Sequence, residues 1–231
     1  LSSIKYHAIT KGVFIPMNFD LETLLGNFDG RTIRTVCFTG SRPNKLKGYV
    51  TANYNDFVHD LSSILEAVYN RLGAVKFISG GAQGMDQLAF WAVDQLKNRT
   101  ADTNIQNILH VPFEGQDRIW AETGLFSRGQ YQTIRQMADS TVIIAPSVDV
   151  NDKKAVCKAL DDRNHSMADA ADLVIALYPD TGWNTAKHSG TANCMQYAAK
   201  KQKPILQLMY DTNADQNSPL VITGITSYLF T

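Results

Sequence analysis

Six short apolar runs separated by stretches of helical periodicity constrain this chain more than any other feature. Residues 35–39, 75–79, 108–112, 141–145, 173–177 and 204–208 are short, rich in Val and Ile, and do not alternate with polar residues. That pattern suits strands buried on both faces of a parallel sheet. Between the first two runs, Phe57, Leu61, Ile64, Leu65, Val68 and Leu72 recur at steps of three and four, which places them on one face of a helix. Shorter helical patterns occupy 85–97, 131–137, 156–168 and 191–201. The alternation predicts an α/β fold, Rossmann-like and doubly wound, with a mostly parallel sheet of about six strands and helices on both faces.

Two segments fall outside this rhythm. Residues 1–33 have apolar residues and a turn-like Asn27-Phe28-Asp29-Gly30 without a clear period, and are expected to form an arm packed on a main domain spanning 34–231. Residues 113–130 carry Trp120 and Phe126 among polar and glycine positions. They read as a long loop with one helical turn, of the kind that serves as a lid or binding element.

Composition narrows the function classes. With 44% apolar and 19% charged residues among 231, the chain lies away from the disordered class. The 22 basic and 22 acidic residues cancel, so no net field draws a polyanion and a nucleic-acid partner is not expected. No apolar run approaches the ~18 residues that cross a bilayer, so no membrane partner is expected either. The amino end shows no basic start followed by an apolar stretch and a cleavage site. Cys37, Cys157 and Cys194 are odd in number and far apart, which suits free thiols in a reducing compartment and a cytoplasmic location. A homo-oligomer stays open.

In an open α/β sheet, ligands bind beyond the carboxyl ends of the strands. The first strand exits into Gly40-Ser41-Arg42: close backbone approach, a hydroxyl and a planar cation suited to phosphate. A plain Gly-Ser turn with a solvated arginine is the alternative. The second strand exits into Gly80-Gly81-Ala82-Gln83-Gly84-Met85-Asp86, a glycine-rich turn that exposes N–H groups at a helix start and favours an anion. It matches neither G-x-G-x-x-G nor G-x-x-x-x-G-K-S/T. Asp86 either caps the helix or accepts from a ribose. Gly190-Thr191 opens a later helix, another amino-terminal anion site, with Thr191 as an N-cap in the alternative. Tyr178, at the fifth strand exit, is open to base stacking or to packing. The five histidines show no zinc-site spacing, and there is no G-x-S-x-G elbow. No metal or cofactor is called for.

Together, Phe38-Thr39-Gly40-Ser41-Arg42-Pro43, the Gly80–Asp86 turn, and Arg163-Asn164-His165-Ser166-Met167 ahead of Ala171-Asp172-Leu173-Val174 resemble the SLOG superfamily, and most of all its YpsA-like branch, over roughly 34–210. The superfamily is Rossmann-like and includes nucleoside-monophosphate phosphoribohydrolases, the DNA-processing protein DprA and sensors of nucleotide-derived signals. The resemblance implies a sugar or phosphate contact for Arg163 and Asn164, whereas base rates would pair Arg163 with Asp161 or Asp162 on the surface. The enzymes' Pro-Gly-Gly-x-Gly-Thr signature survives only as His188-Ser189-Gly190-Thr191, and Asn193 and Cys194 stand where glutamates would follow. Asn193 can hold a hydroxyl but cannot stabilise positive charge on a sugar.

Three functions follow as expectations. The first is binding of a nucleotide or nucleotide-derived small molecule, as a sensor. The second is N-glycosidase chemistry on nucleotides, with Asp86 or Asp162 as the carboxylate. The third is a DprA-like adaptor for nucleic acid or protein.

Overall fold

The computed structural model describes residues 21–230, so the part of the expected arm at 1–20 lies outside the described residues. The elements run α1 (Leu21–Gly26), β1 (Thr35–Gly40), α2 (Asn55–Leu72), β2 (Lys76–Ser79), α3 (Met85–Thr100), β3 (Gln106–Val111), α4 (Arg128–Met137), β4 (Ser140–Ile143), α5 (Lys153–Ala170), β5 (Leu173–Leu177), α6 (Gly190–Lys200), β6 (Ile205–Tyr210) and β7 (Ile222–Tyr228). The sheet order is β4-β3-β2-β1-β5-β6-β7. The first six strands are parallel to their neighbours and β7 is antiparallel to β6. The fold is therefore Rossmann-like α/β, as the alternation of apolar runs predicts.

Among the described residues the sheet has seven strands, against the about six expected. The seventh is hidden because its apolar residues Ile222, Ile225 and Tyr228 recur every three positions, a helical spacing. Its register explains the first step: Tyr210 pairs with Ile222 and Met209 with Gly224, leaving Thr223 as an extra residue that switches the phase of the pleat, so Ile222 and Ile225 face one side of the sheet while Tyr228 faces the other.

Alternation along each strand divides the interior in two. Val36 and Phe38 of β1 join the core under α2 and α3, while Cys37 joins the core under α5 and α6. The α2 residues named from periodicity are buried except Leu72, which packs against the same core. The helix α1 and the segment after it belong to this layer too, since Leu25, Phe28 and Ile33 are buried in it and Arg71 of α2 pairs with Glu22 and Asp29.

The order of connection places a site. From β1 the chain moves outward through β2, β3 and β4, then returns to β5 on the other side of β1. Loops leaving β1 and β5 diverge at that reversal and open a crevice beyond the carboxyl ends.

Candidate functional site

The crevice is a cleft of about 450 Å³. Its walls are Thr39 to Arg42 with Asn44 and Lys45 at and beyond the end of β1, Ala82, Gln83 and Asp86 around the start of α3, one face of α5, and His188 to Thr191 with Asn193 around the start of α6. The α5 face is set by helical spacing, with Cys157, Leu160, Asp161, Arg163 and Asn164 turned toward the cleft. Of the residues named from sequence, Gly40, Ser41, Arg42, Ala82, Asp86, Arg163, Asn164, Gly190, Thr191 and Asn193 come together here, whereas Gly80, Gly81, Gly84 and Asp162 are not among the lining residues. Asp162 forms an ion pair with Lys158 one turn earlier.

Arg163 does not pair with a surface aspartate. Its Nη1 donates to Asp86 Oδ2 at 3.0 Å and its Nε to Asn164 Oδ1 at 3.0 Å, with the Arg163 and Asp86 side chains only 7% and 8% exposed. Asp86 also accepts from the Ala82 N–H at 3.2 Å. It thus ties the glycine turn to α5 rather than serving as the N-cap of α3, a position taken by Gly84.

This pairing accounts for the glycines. A Cβ at Gly80 would lie 1.4 Å from Arg163 Nη1, and one at Gly84 would lie 2.4 Å from the Ser41 carbonyl oxygen. Both positions in this turn are glycine because protein packs against them there. Gly81 has φ +67°, and a Cβ there would meet the Tyr131 ring at 2.8 Å. The glycine-rich signal therefore reports how closely the loops after β1 and β2 approach α5 and one another.

At α6, Ser189 is the N-cap and its hydroxyl accepts from the Ala192 N–H. Thr191 is therefore not the cap; it is buried and lines the cleft. The Gly190 and Thr191 N–H groups have no acceptor among the described residues, as expected at a helix start, where donors and the positive dipole end meet an anion. His188 just before them has φ 59°, a left-handed conformation that side chains rarely adopt.

Lys45 lines the cleft, and Arg42 brings a second positive charge to it. The Arg42 side chain reaches solvent in the cleft and makes no hydrogen bond or ion pair with the described residues. Desolvation by the surrounding protein lowers its pKa, and the neighbouring Arg163 charge acts in the same direction, while Asp86 opposes them. A partly desolvated cation without a partner, beside a second cation, is stabilised by an incoming anion.

Below the cleft the remaining groups are quiet. His110 is buried with Nδ1 3.0 Å from Ser166 Oγ, and its pKa is lowered by burial and by Arg163. Burial pushes the Cys194 thiol up to about 11 and raises Cys37 well above its ordinary value, so neither is a thiolate nucleophile at neutral pH. No His, Cys, Asp or Glu cluster suited to a metal occurs among the described residues.

The 113–127 loop forms a second wall beside the cleft, with no helix of its own before α4 begins at Arg128. Gln116 Nε2 donates to the Gly80 carbonyl and the Tyr131 hydroxyl, and buried Asp117 accepts from Gln132 and pairs with Arg128. Phe126 is buried at φ 57° and meets Tyr54 edge to face at 5.4 Å. An aromatic residue in that conformation is kept there by its surroundings. The sequence marked this loop through Trp120 but did not reveal that it lines a cavity together with Arg42, that Asp161 lines the cleft, or that Asp86 is the partner of Arg163. Each is a long-range relationship without a periodic signal.

The cleft occupies the strand exits that the comparisons cover. The YpsA family model, described as the YspA SLOG family, matches residues 36–213, a span from β1 past β6. The uncharacterized SPbeta prophage-derived protein YoqJ of Bacillus subtilis (strain 168) is 30% identical over 149 residues, which cover 61% of this chain and 78% of that protein. With the motif residues gathered at one sheet edge and the match running across all six parallel strands, the chain belongs to the YspA SLOG family.

Proposed function

We propose that the protein binds a nucleotide or nucleotide-derived small molecule at the carboxyl edge of the sheet, with an anionic phosphate between Arg42 and the start of α6. The observation that carries this reading is the unpaired Arg42 guanidinium facing the same cleft as the free Gly190 and Thr191 N–H groups. Family membership supports a nucleotide-related role. Among the described residues, no helix is long and apolar enough to cross a membrane.

Binding is favoured over glycosidic cleavage by the state of Asp86 and Asp162, the two carboxylates that the sequence offers for cleavage. Asp86 is held by Arg163 and the Ala82 N–H, and Asp162 by Lys158. A carboxylate already neutralised by a guanidinium stabilises positive charge on a sugar poorly. Mass spectrometry of compounds released on denaturing the purified protein tests the reading. A phosphate-bearing, nucleotide-derived compound in near-stoichiometric amount is expected. Release of a stoichiometric ligand lacking any anionic group would contradict it.

A further inference from the structure

Beside the cleft lies a second cavity of about 510 Å³, and Arg42, Gln83 and Leu160 line both. The two cavities are therefore adjoining compartments of one trough, meeting at the unpaired arginine. Their chemistry differs. The cleft is edged by N–H donors, hydroxyls and charge, whereas the second compartment is walled by Tyr49, Phe113, Trp120, Val156 and Leu160. Ile119 at its rim is 84% exposed and Tyr49 is 56% exposed. Large apolar side chains gathered beside a polar cleft mark a surface that gains by being covered.

The compartment is also pre-formed. Trp120 meets Tyr131 edge to face at 5.3 Å, and the loop that carries it is fixed by the Gln116 and Asp117 hydrogen bonds and by the strained, buried Phe126 described above. Arg118 at the rim makes no side-chain hydrogen bond or ion pair with the described residues. Its planar guanidinium and that of Arg42 are free to stack on a flat ring.

We infer that this compartment takes the planar aromatic part of the ligand whose phosphate sits in the cleft. The ligand class is then a phosphorylated compound with a nucleobase or similar flat ring one compartment away from its anion. This inference rests on the phosphate-binding reading above. A ring here displaces water from Trp120, Tyr49 and Phe113, and base–aromatic stacking of this kind contributes roughly tenfold or more in affinity. A sugar phosphate without a base fills only the cleft and forgoes that gain.

Calorimetric titration of the purified protein with four nucleoside monophosphates, ribose 5-phosphate and inorganic phosphate separates the two claims. At least one nucleotide is expected to bind about tenfold or more tightly than ribose 5-phosphate. Trp120→Ala and Ile119→Ser should each remove most of that advantage while leaving ribose 5-phosphate affinity unchanged. Ile119→Ser alters an exposed position without adding charge, so its effect is confused neither with loss of the fold nor with repulsion of the anion. Equal affinities for ribose 5-phosphate and every nucleotide, or nucleotide affinity unchanged in both variants, would overturn the aromatic compartment and leave phosphate binding standing. Binding of none of these probes would overturn both.

Discussion

Asp86 Oδ2 and Arg163 Nη1 meet at 3.0 Å beneath the cleft, with both side chains more than nine-tenths buried. This contact joins the turn after β2 to the middle of α5, so it sets the width of the site from below. Removing one partner of a buried ion pair leaves an uncompensated charge, at a cost of about 3–5 kcal/mol. Asp86→Asn should lower unfolding free energy by that order in urea titrations. Asp86→Asn combined with Arg163→Met should recover a large part of the loss, because the orphaned charge is gone. A single-variant loss below about 1 kcal/mol would mean that solvent, not Asp86, neutralises Arg163.

The glycines give a contrast between packed and open positions. A Cβ at Gly80 collides with the Arg163 guanidinium at 1.4 Å, while one at Gly190 has nothing within 4 Å. Gly80→Ala should cost about 1–3 kcal/mol through forced displacement of Arg163, and Gly190→Ala should leave stability within about 0.5 kcal/mol. Thermal or urea unfolding of the two variants side by side checks this, and equal losses would contradict it.

Protonation of His110 should be visible in stability. Its pKa is lowered from the ordinary 6.5 by burial and by Arg163, so below that value the unfolded chain takes up a proton that the folded protein refuses. Stability from this group is fully present above pH 6.5 and falls as pH drops below it. The slope contributed is at most about 1.4 kcal/mol per pH unit. His110→Gln keeps a partner for Ser166 and should flatten the acid-side decline relative to the parent. Identical pH profiles would show that His110 titrates alike in both states.

Much of the fold was legible in the chain, and the reasons differ by element. Strands buried on both faces leave unbroken apolar runs, which is why β1 and β5 stand out. The helix Asn55–Leu72 buries one stripe and so shows its period. The strand Ile222–Tyr228 escaped because Thr223 breaks the two-residue phase. For the site, local motifs located the strand exits correctly, but a motif does not say what its glycines approach. Gly80 is glycine because of Arg163, 83 positions later in the sequence, and no local pattern encodes such a distance. The apolar compartment was foreshadowed only by Trp120 within a long loop, since its walls come from four separate parts of the chain.

Arg42 and Arg163 should separate in their effects. Arg163 is already satisfied by Asp86 and Asn164, so its replacement acts first on stability. Arg42 has no partner to lose, and Arg42→Ala should leave urea unfolding within about 0.5 kcal/mol. Its lost charge-assisted contact should appear in binding instead, at about 1.5–3 kcal/mol, and the residual affinity should depend less on salt. An Arg42→Ala variant as salt-sensitive in binding as the parent would place the anion elsewhere.

The central claim is that a phosphate sits between Arg42 and the amino end of α6. Calorimetric titration of the tightest-binding nucleoside monophosphate into the parent protein and Arg42→Ala tests it most directly. The account predicts saturable one-to-one binding to the parent and a loss of about ten- to a hundredfold in the variant, with the folded state unchanged by circular dichroism. Parent-like affinity in Arg42→Ala, or no nucleotide binding by the folded parent, would contradict it.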